Sequence, residues 1–460
     1  MSINTTINPT TGAELASYDE HTDDELSEIV DSAQSAFEEW RRRPVEDRAA
    51  VIARIGELLT ERSGDLAQMM TDEMGKLLSA GSQEVQLCSM ICSWTADNAA
   101  DELADEERKL RGGRAIVSYR PVGVILGIQP FNFPVYQAIR YSIPNLVAGN
   151  AVLLKHASSV MGSALLLEEI YHEAGIPTDL FRVIKASNDQ TTALISNPLV
   201  RGVTLTGSGK AGSIVAAEAG KHLKKTVMEL GSNDAYLVLS DAAIDTAVAT
   251  CVQARVYNNG ETCVAAKRFV VVDSVYEQFR DGFVEKMKGI AMGDPNDDST
   301  GIGPIAREDL RDELHDQVQT SIDAGATATI GGEIPDREGF FYPATVLENV
   351  SPGMPAYDDE LFGPVASLIR VESDEEAMRV ANDSRFGLGG GIFSADVDRA
   401  IDLAVNEFDT GMININGYNL AQPNLPFGGV KDSGYGREHG GFGIKEFVNV
   451  KSVMITESGS

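Results

Sequence analysis

The sequence predicts an α/β protein built on mostly parallel sheets, and three observations carry that prediction. Strand-length apolar runs alternate with helical stretches over most of the chain beyond residue 120. Those runs are rich in Val, Ile and Leu with little polar alternation, as in strands covered on both faces. The 460 residues, 43% hydrophobic and 23% charged, suffice for two or three domains with sizeable cores.

The elements follow in chain order. Residues 22–110 read as helices. Thr22-Asp23-Asp24-Glu25 fits a capping box, and Leu26, Ile29, Val30, Ala33, Phe37 and Trp40 follow at helical spacing. A second helical stretch covers 46–78. A third, 81–104, puts Cys88 and Cys92 one turn apart, where small buried hydrophobes are the ordinary reading. The period then changes: 115–119 and 122–128 read as short strands separated by Pro121. Further strands are expected at 151–154, 181–184, 202–205, 226–230 and 236–239, with helices such as 161–174 and 210–222 between them. A second alternating region spans 242–409, with strands near 269–272 and 366–371. Gly-rich loops run on to residue 443, and 447–455 returns to strand character.

Composition excludes several function classes. The 38 Lys and Arg against 69 Asp and Glu leave a formal charge of −31, a field that repels nucleic acid and anionic membrane surfaces. No apolar run approaches the roughly 18 residues of a membrane span. The N-terminal MSINTTINPTTG has neither the basic nor the apolar segment of a signal peptide. Four cysteines, Cys88, Cys92, Cys251 and Cys263, are too few for a disulfide scaffold and fit a reducing, cytoplasmic setting. With no CxxC pair and no HExxH, no metal site is expected.

Three local motifs could carry chemistry. Gly207-Ser208-Gly209-Lys210-Ala211-Gly212 spells GxGxxG between a strand-like and a helical run, and Glu229 lies about 20 residues beyond Gly209, where a ribose-binding acid is placed in dinucleotide folds. An ordinary Gly-rich turn between strand and helix fits the same residues. A P-loop does not, because Ala211 stands where a magnesium-holding hydroxyl is required. Cys263 follows Asn259-Gly260-Glu261-Thr262, a turn able to present a partly exposed thiol near free amides. A Cys–His hydrolase is a rival chemistry, requiring His156, His172, His222, His315 or His439 beside that thiol. Pro130-Phe131-Asn132-Phe133-Pro134 is either a proline-bounded turn or a rigid amide donor at a pocket edge.

Together with Leu153-Leu154-Lys155, Thr206-Gly207-Ser208, Glu229-Leu230-Gly231, Gly260-Glu261-Thr262-Cys263, Glu360-Leu361-Phe362-Gly363-Pro364 and the stretch Pro426 to Gly434 ending in Gly436-Arg437-Glu438, these motifs resemble the NAD(P)-dependent aldehyde dehydrogenase superfamily over nearly the whole chain. The resemblance implies two parallel-sheet α/β domains plus a small β oligomerisation extension. The cofactor-binding domain would take 1–104 and 121–230, the catalytic domain 231–440, and the extension 105–120 and 441–460, in a homodimer or homotetramer. It also implies Cys263 as nucleophile, Glu229 as general base rather than ribose ligand, and Asn132 as oxyanion donor. Lys155 and Ser158 would lie on the adenosine side of NADP or NAD, Gly207 and Ser208 at the pyrophosphate, and Glu360 and Phe362 at the nicotinamide ribose and ring. The alternative within the family is another semialdehyde or an aliphatic aldehyde; a CoA-acylating member is disfavoured because Glu229 supplies a base.

Within the superfamily the chain is most similar to succinate-semialdehyde dehydrogenases, through Leu154-Lys155-His156-Ala157 and through Arg140, which matches an arginine gripping the substrate's distal carboxylate. Three positions depart from common patterns: Tyr257 where some members have a second arginine, Ser158 where NAD-preferring relatives carry Glu, and Ser232 in place of a glycine. Ser158 removes a carboxylate that would repel a 2′-phosphate, so NADP is expected to be accepted. Both expected ligands are anions, so the acid excess does not serve to attract them. It reads instead as a halophile-type surface that repels itself when salt is removed.

Overall fold

Two parallel sheets flanked by helices organise the chain in the computed structural model, which describes residues 3–456. The first has six strands in the order Gly434–Tyr435, Lys225–Glu229, Val200–Thr206, Val124–Gln129, Ala151–His156 and Phe181–Val183, all parallel except the short Gly434–Tyr435 edge. The second has seven, in the order Thr327–Ile330, Thr345–Glu348, Val365–Val371, Arg268–Val272, Ala235–Val238, Gly390–Phe393 and Asn414–Ile415, with only the outermost Thr327–Ile330 antiparallel. A three-stranded antiparallel sheet joins the tail Val448–Thr456 to Gly113–Pro121 and Glu106–Leu110. The α/β prediction with two parallel sheets and a small β extension therefore holds; residues 457–460 of the expected extension lie outside the described residues.

The strands are apolar on both faces because each face is covered. In the second sheet Leu237 and Val270 enter one core while Tyr236, Val238, Phe269 and Val271 enter another on the opposite side. In the first sheet the helix Pro134–Ala148 is buried at every residue, including Pro144. The side chains Trp40 and Arg48 reach its end, donating to Leu146 O and Val147 O at 2.8 Å each. Those carbonyls belong to a last helical turn that leaves some acceptors without partners. The capping box at Thr22 forms as expected, with Glu25 N donating to Thr22 Oγ1 at 3.2 Å and Thr22 N to Glu25 Oε2 at 2.7 Å.

Several boundaries differ from expectation. The 46–78 stretch is two helices, Val45–Glu61 and Ser63–Met74, because Arg62 leaves helical geometry (φ −99°, ψ 14°). Residues 106–110 are an exposed edge strand, not helix, since their partner Gly113–Pro121 outweighs local propensity. The hairpin of Ile3–Ile7 and Glu14–Asp19 was not anticipated, its alternation being too polar to stand out. No described helix is long and apolar enough to cross a membrane.

Parallel strands bring their C-terminal ends to one edge of a sheet, where open α/β folds bind ligands. Lys155, Thr206 and Glu229 sit at or near three such ends, and Asn132 follows a fourth strand directly.

Candidate active site

The turn before Cys263 has an unusual backbone. Asn258 (φ 53°), Asn259 (φ 57°) and Gly260 (φ 78°) are left-handed in succession, a conformation that Gly and Asn tolerate best. Hydrogen bonds from three other segments hold it. Asn258 Nδ2 donates to Asn132 O at 2.9 Å and Glu261 O at 3.1 Å, and Asn259 Nδ2 to Gly75 O at 2.9 Å and Pro304 O at 3.0 Å. Gly303 N donates to Asn259 Oδ1 at 2.7 Å. A Cβ on Gly260 would lie 2.3 Å from Gly363 C, so the Gly260-Glu261-Thr262-Cys263 and Glu360–Pro364 motifs meet at this point.

Asn132 is buried and donates its side-chain amide to Glu261 O at 3.0 Å, leaving the second N–H of that amide for another acceptor. Its own carbonyl accepts from Lys76 Nζ at 2.9 Å. Lys76 forms a fully buried ion pair with Glu84, whose other oxygen accepts from Val135 N and Tyr136 N at 2.9 Å each, capping the helix that follows Asn132. The residues that fix Asn132 thus come from early in the chain, Lys76 from the loop after Ser63–Met74 and Glu84 from the helix Leu78–Glu102, and no local sequence pattern singles them out.

Glu229 ends its strand, buried, with neither carboxylate oxygen hydrogen-bonded among the described residues. Burial holds its carboxyl well above the ordinary range, against the pull of Arg140 and reinforced by Glu438. Gly428, at φ 146°, crosses so close that a Cβ there would stand 2.7 Å from Glu229 Oε1. The glycine-rich motif from Pro426 to Gly434 therefore lies against the carboxyl.

Arg140 is 1% exposed. It pairs with Glu438 and donates from Nη2 to Thr206 Oγ1 at 2.8 Å, while Nη1 has no hydrogen-bond partner among the described residues. Its guanidinium also lies 4.6 Å from the centre of the Phe427 ring. The substrate carboxylate expected at Arg140 thus shares the guanidinium with Glu438, a partner that lies far on in the sequence.

Cys263 is partly exposed, with Val264, Leu388 and Phe427 packed nearby. Burial raises its thiol to about 11, while Arg140 and Lys267 draw it down and Glu360 and Glu229 push it up. No hydrogen bond or ion pair joins a histidine to Cys263 among the described residues. His156, for instance, receives Ala157 N on Nδ1 at 2.9 Å and so donates from Nε2 to Pro134 O at 2.9 Å. His439 meets Tyr136 Oη at 3.0 Å. The arrangement a Cys–His hydrolase needs is not formed.

The remaining site residues form three groups. Lys155 and Ser158 line a cavity of about 290 Å³ with Ser187, Asn188 and Glu20. Gly207 and Ser208 lie between the strand Val200–Thr206 and the helix Gly209–Lys221, with Ser208 Oγ accepting from Ala211 N at 3.3 Å. A Cβ on Gly209 would meet nothing within 4 Å, so the start of this helix is open. A Cβ on Gly212 would lie 2.5 Å from Leu230, so that glycine serves helix packing. Glu360 stands over Gly231, whose Cβ would lie 2.6 Å from Oε2, and Phe362 meets Phe131 edge-on with centroids 6.3 Å apart.

Comparison with known proteins shows the family and the fold. Residues 2–453 match the aldehyde dehydrogenase family. The chain is 43% identical to the NADP(+) succinate-semialdehyde dehydrogenase of Deinococcus radiodurans, over 97% of this chain and 94% of that protein. It is 40% identical to the NAD(P)+ succinate semialdehyde dehydrogenase of Escherichia coli (strain K12), covering 97% and 96%. The crystal structure of succinic semialdehyde dehydrogenase from Streptococcus pyogenes in complex with NADP+ superposes with a TM-score of 0.96 at 38% identity, covering 99% of this chain and all of that one.

Proposed function

Because the chain belongs to the aldehyde dehydrogenase family, we propose that it oxidises succinate semialdehyde to succinate, using NADP+ or NAD+. The observation that carries this reading is one partly exposed cysteine, Cys263, on a turn that receives the Asn132 amide, with Arg140 and Glu229 within electrostatic reach of its thiol.

The residues suit the cofactor. The Lys155 side chain makes no hydrogen bond or ion pair among the described residues, and with the hydroxyls of Ser158 and Ser187 it offers donors to a ribose phosphate, although Glu20 also lines the cavity. The open N-terminus of the helix Gly209–Lys221 suits a pyrophosphate, and Glu360 is the carboxylate for the nicotinamide ribose. NADP+, when bound, accepts the hydride released from the substrate carbon. On this reading the first sheet belongs to the cofactor-binding domain and the second to the catalytic one.

Cys263 thiolate adds to the aldehyde carbon, and the free N–H of Asn132 with the Cys263 main-chain N–H stabilises the oxyanion. One such donor is typically worth about 3–4 kcal/mol. Loss of hydride from the thiohemiacetal leaves a thioester on Cys263. Glu229 then takes a proton from water, which attacks the thioester and releases the acid. Arg140 Nη1 meets the substrate's distal carboxylate. A second reading, favoured by the Arg140–Glu438 ion pair, confines Arg140 to holding Glu438 beside Glu229.

A panel of succinate semialdehyde and butanal, each with NADP+ and NAD+, tests the assignment. Succinate semialdehyde is preferred and NADP+ supports turnover; absence of NADP+ activity overturns the cofactor reading. In Arg140→Gln, KM for succinate semialdehyde rises at least about tenfold, as loss of a charge-assisted pair implies, while butanal is affected much less. Equal losses for both aldehydes favour the second reading.

The remaining expectations concern the surroundings. The exposed apolar residues Val450, Val453 and Met454 on the tail strand support a subunit contact in a homodimer or homotetramer. The cysteine usage supports a cytoplasmic enzyme. The −31 charge supports a surface suited to high salt, where the Debye length falls to about 3 Å at 1 M. The melting temperature accordingly rises from low salt to molar KCl; a flat or falling trend contradicts this.

A further inference from the structure

Ser232, a departure without explanation in the sequence, touches the main chain of Cys263. Its hydroxyl donates to Cys263 O and accepts from Lys267 Nζ at 2.9 Å. Lys267 lies at the foot of the strand Arg268–Val272 and is 2% exposed. Its ammonium also donates to Cys263 O at 2.6 Å and Thr262 O at 3.1 Å, and pairs with Glu360 at 3.1 Å. All its donors are therefore spent on the nucleophile turn and its two neighbours.

A neutral donor could tie down two carbonyls at far lower desolvation cost than a buried ammonium. The use of a cation here calls for a role for its charge. We propose that Lys267 is a positioning residue for the nucleophile: with Ser232 it clamps the Thr262 and Cys263 carbonyls and anchors a positive charge on the cysteine's own main chain, where it favours the thiolate.

This rests on the reading of Cys263 as nucleophile. The groups acting on the thiol come from every side: Arg140 and Lys267 favour the thiolate, Glu360 and Glu229 oppose it, and the phenols of Tyr136 and Tyr418 lie within electrostatic reach. Lys267 is the cation anchored to the cysteine's own backbone. An opposite charge close to a thiolate moves the thiol's titration by about one unit or more.

The test is the pH dependence of Cys263 alkylation by iodoacetamide, read by peptide mass on the full-length enzyme without cofactor. Cys88, Cys92 and Cys251 are buried and react slowly. In Lys267→Met the midpoint moves up by about one pH unit relative to wild type, and Lys267→Arg returns most of the shift. Lys267→Gln keeps a donor for the carbonyls without the charge; it shifts like Lys267→Met and serves if that variant does not fold. Ser232→Gly leaves the midpoint near wild type because the ammonium stays. An unmoved midpoint in both neutral variants overturns the proposal. If instead the alkylated wild-type enzyme still reduces NADP+ with aldehyde, the nucleophile reading itself has failed.

Discussion

Cys263→Ala reduces aldehyde-dependent NADPH formation by at least about 10⁴-fold, the scale of losing a catalytic nucleophile. The protein stays folded and keeps its cofactor affinity. The loss is large because no second nucleophile is at hand: Cys88, Cys92 and Cys251 are buried elsewhere. Stopped-flow absorbance with succinate semialdehyde measures the chemistry, and quenching of intrinsic fluorescence by NADP+ checks the fold. Retained turnover in Cys263→Ala rejects a covalent route through this residue.

Glu229→Gln separates the two halves of the reaction. Hydride leaves before the general base is needed, so the variant gives a burst approaching one NADPH per subunit. Its steady rate then falls by about 10²–10⁴-fold, the usual contribution of general base catalysis. The pH dependence has a definite sign. Burial keeps the Glu229 carboxyl protonated well above the ordinary carboxylate range, and the protonated form cannot accept a proton from water. Thioester hydrolysis in the wild type therefore rises with pH through that raised pKa, and Glu229→Gln loses the rise. Loss of the burst together with turnover would place Glu229 before hydride transfer instead.

The residues most legible in the sequence lie in short motifs that end strands or fill turns. Lys155, Gly207, Glu229 and the Pro130–Pro134 turn could be placed because a run of Val, Ile and Leu stops and Gly, Pro or a polar residue begins. Their supports were illegible for a physical reason. Lys76 holds Asn132 from 56 residues earlier in sequence, and Glu84 holds Val135, in the helix that follows, from 51 residues earlier. Glu438 meets Arg140 only because the last part of the chain returns to the first sheet. Long-range electrostatic partners leave no periodicity behind. The Asn258-Asn259-Gly260 run carries a signal, three successive residues that tolerate positive φ, of which Asn259 and Gly260 mark the turn and Asn258 extends it. Ser232 was visible as a departure, yet its meaning required Lys267, a neighbour in space.

The left-handed turn also bears on how the enzyme ages. Asn259-Gly260 is the kind of dipeptide most prone to cyclise and deamidate, because glycine leaves its amide nitrogen unshielded. Here the Asn259 side chain is held at both ends, by Gly75 O and Pro304 O on its nitrogen and by Gly303 N on its oxygen. Cyclisation must wait for these bonds to open, so the rate of chemical damage is tied to local unfolding rather than to the dipeptide itself. The segment that presents the thiol is thereby also a clock, one that starts when the turn first comes loose.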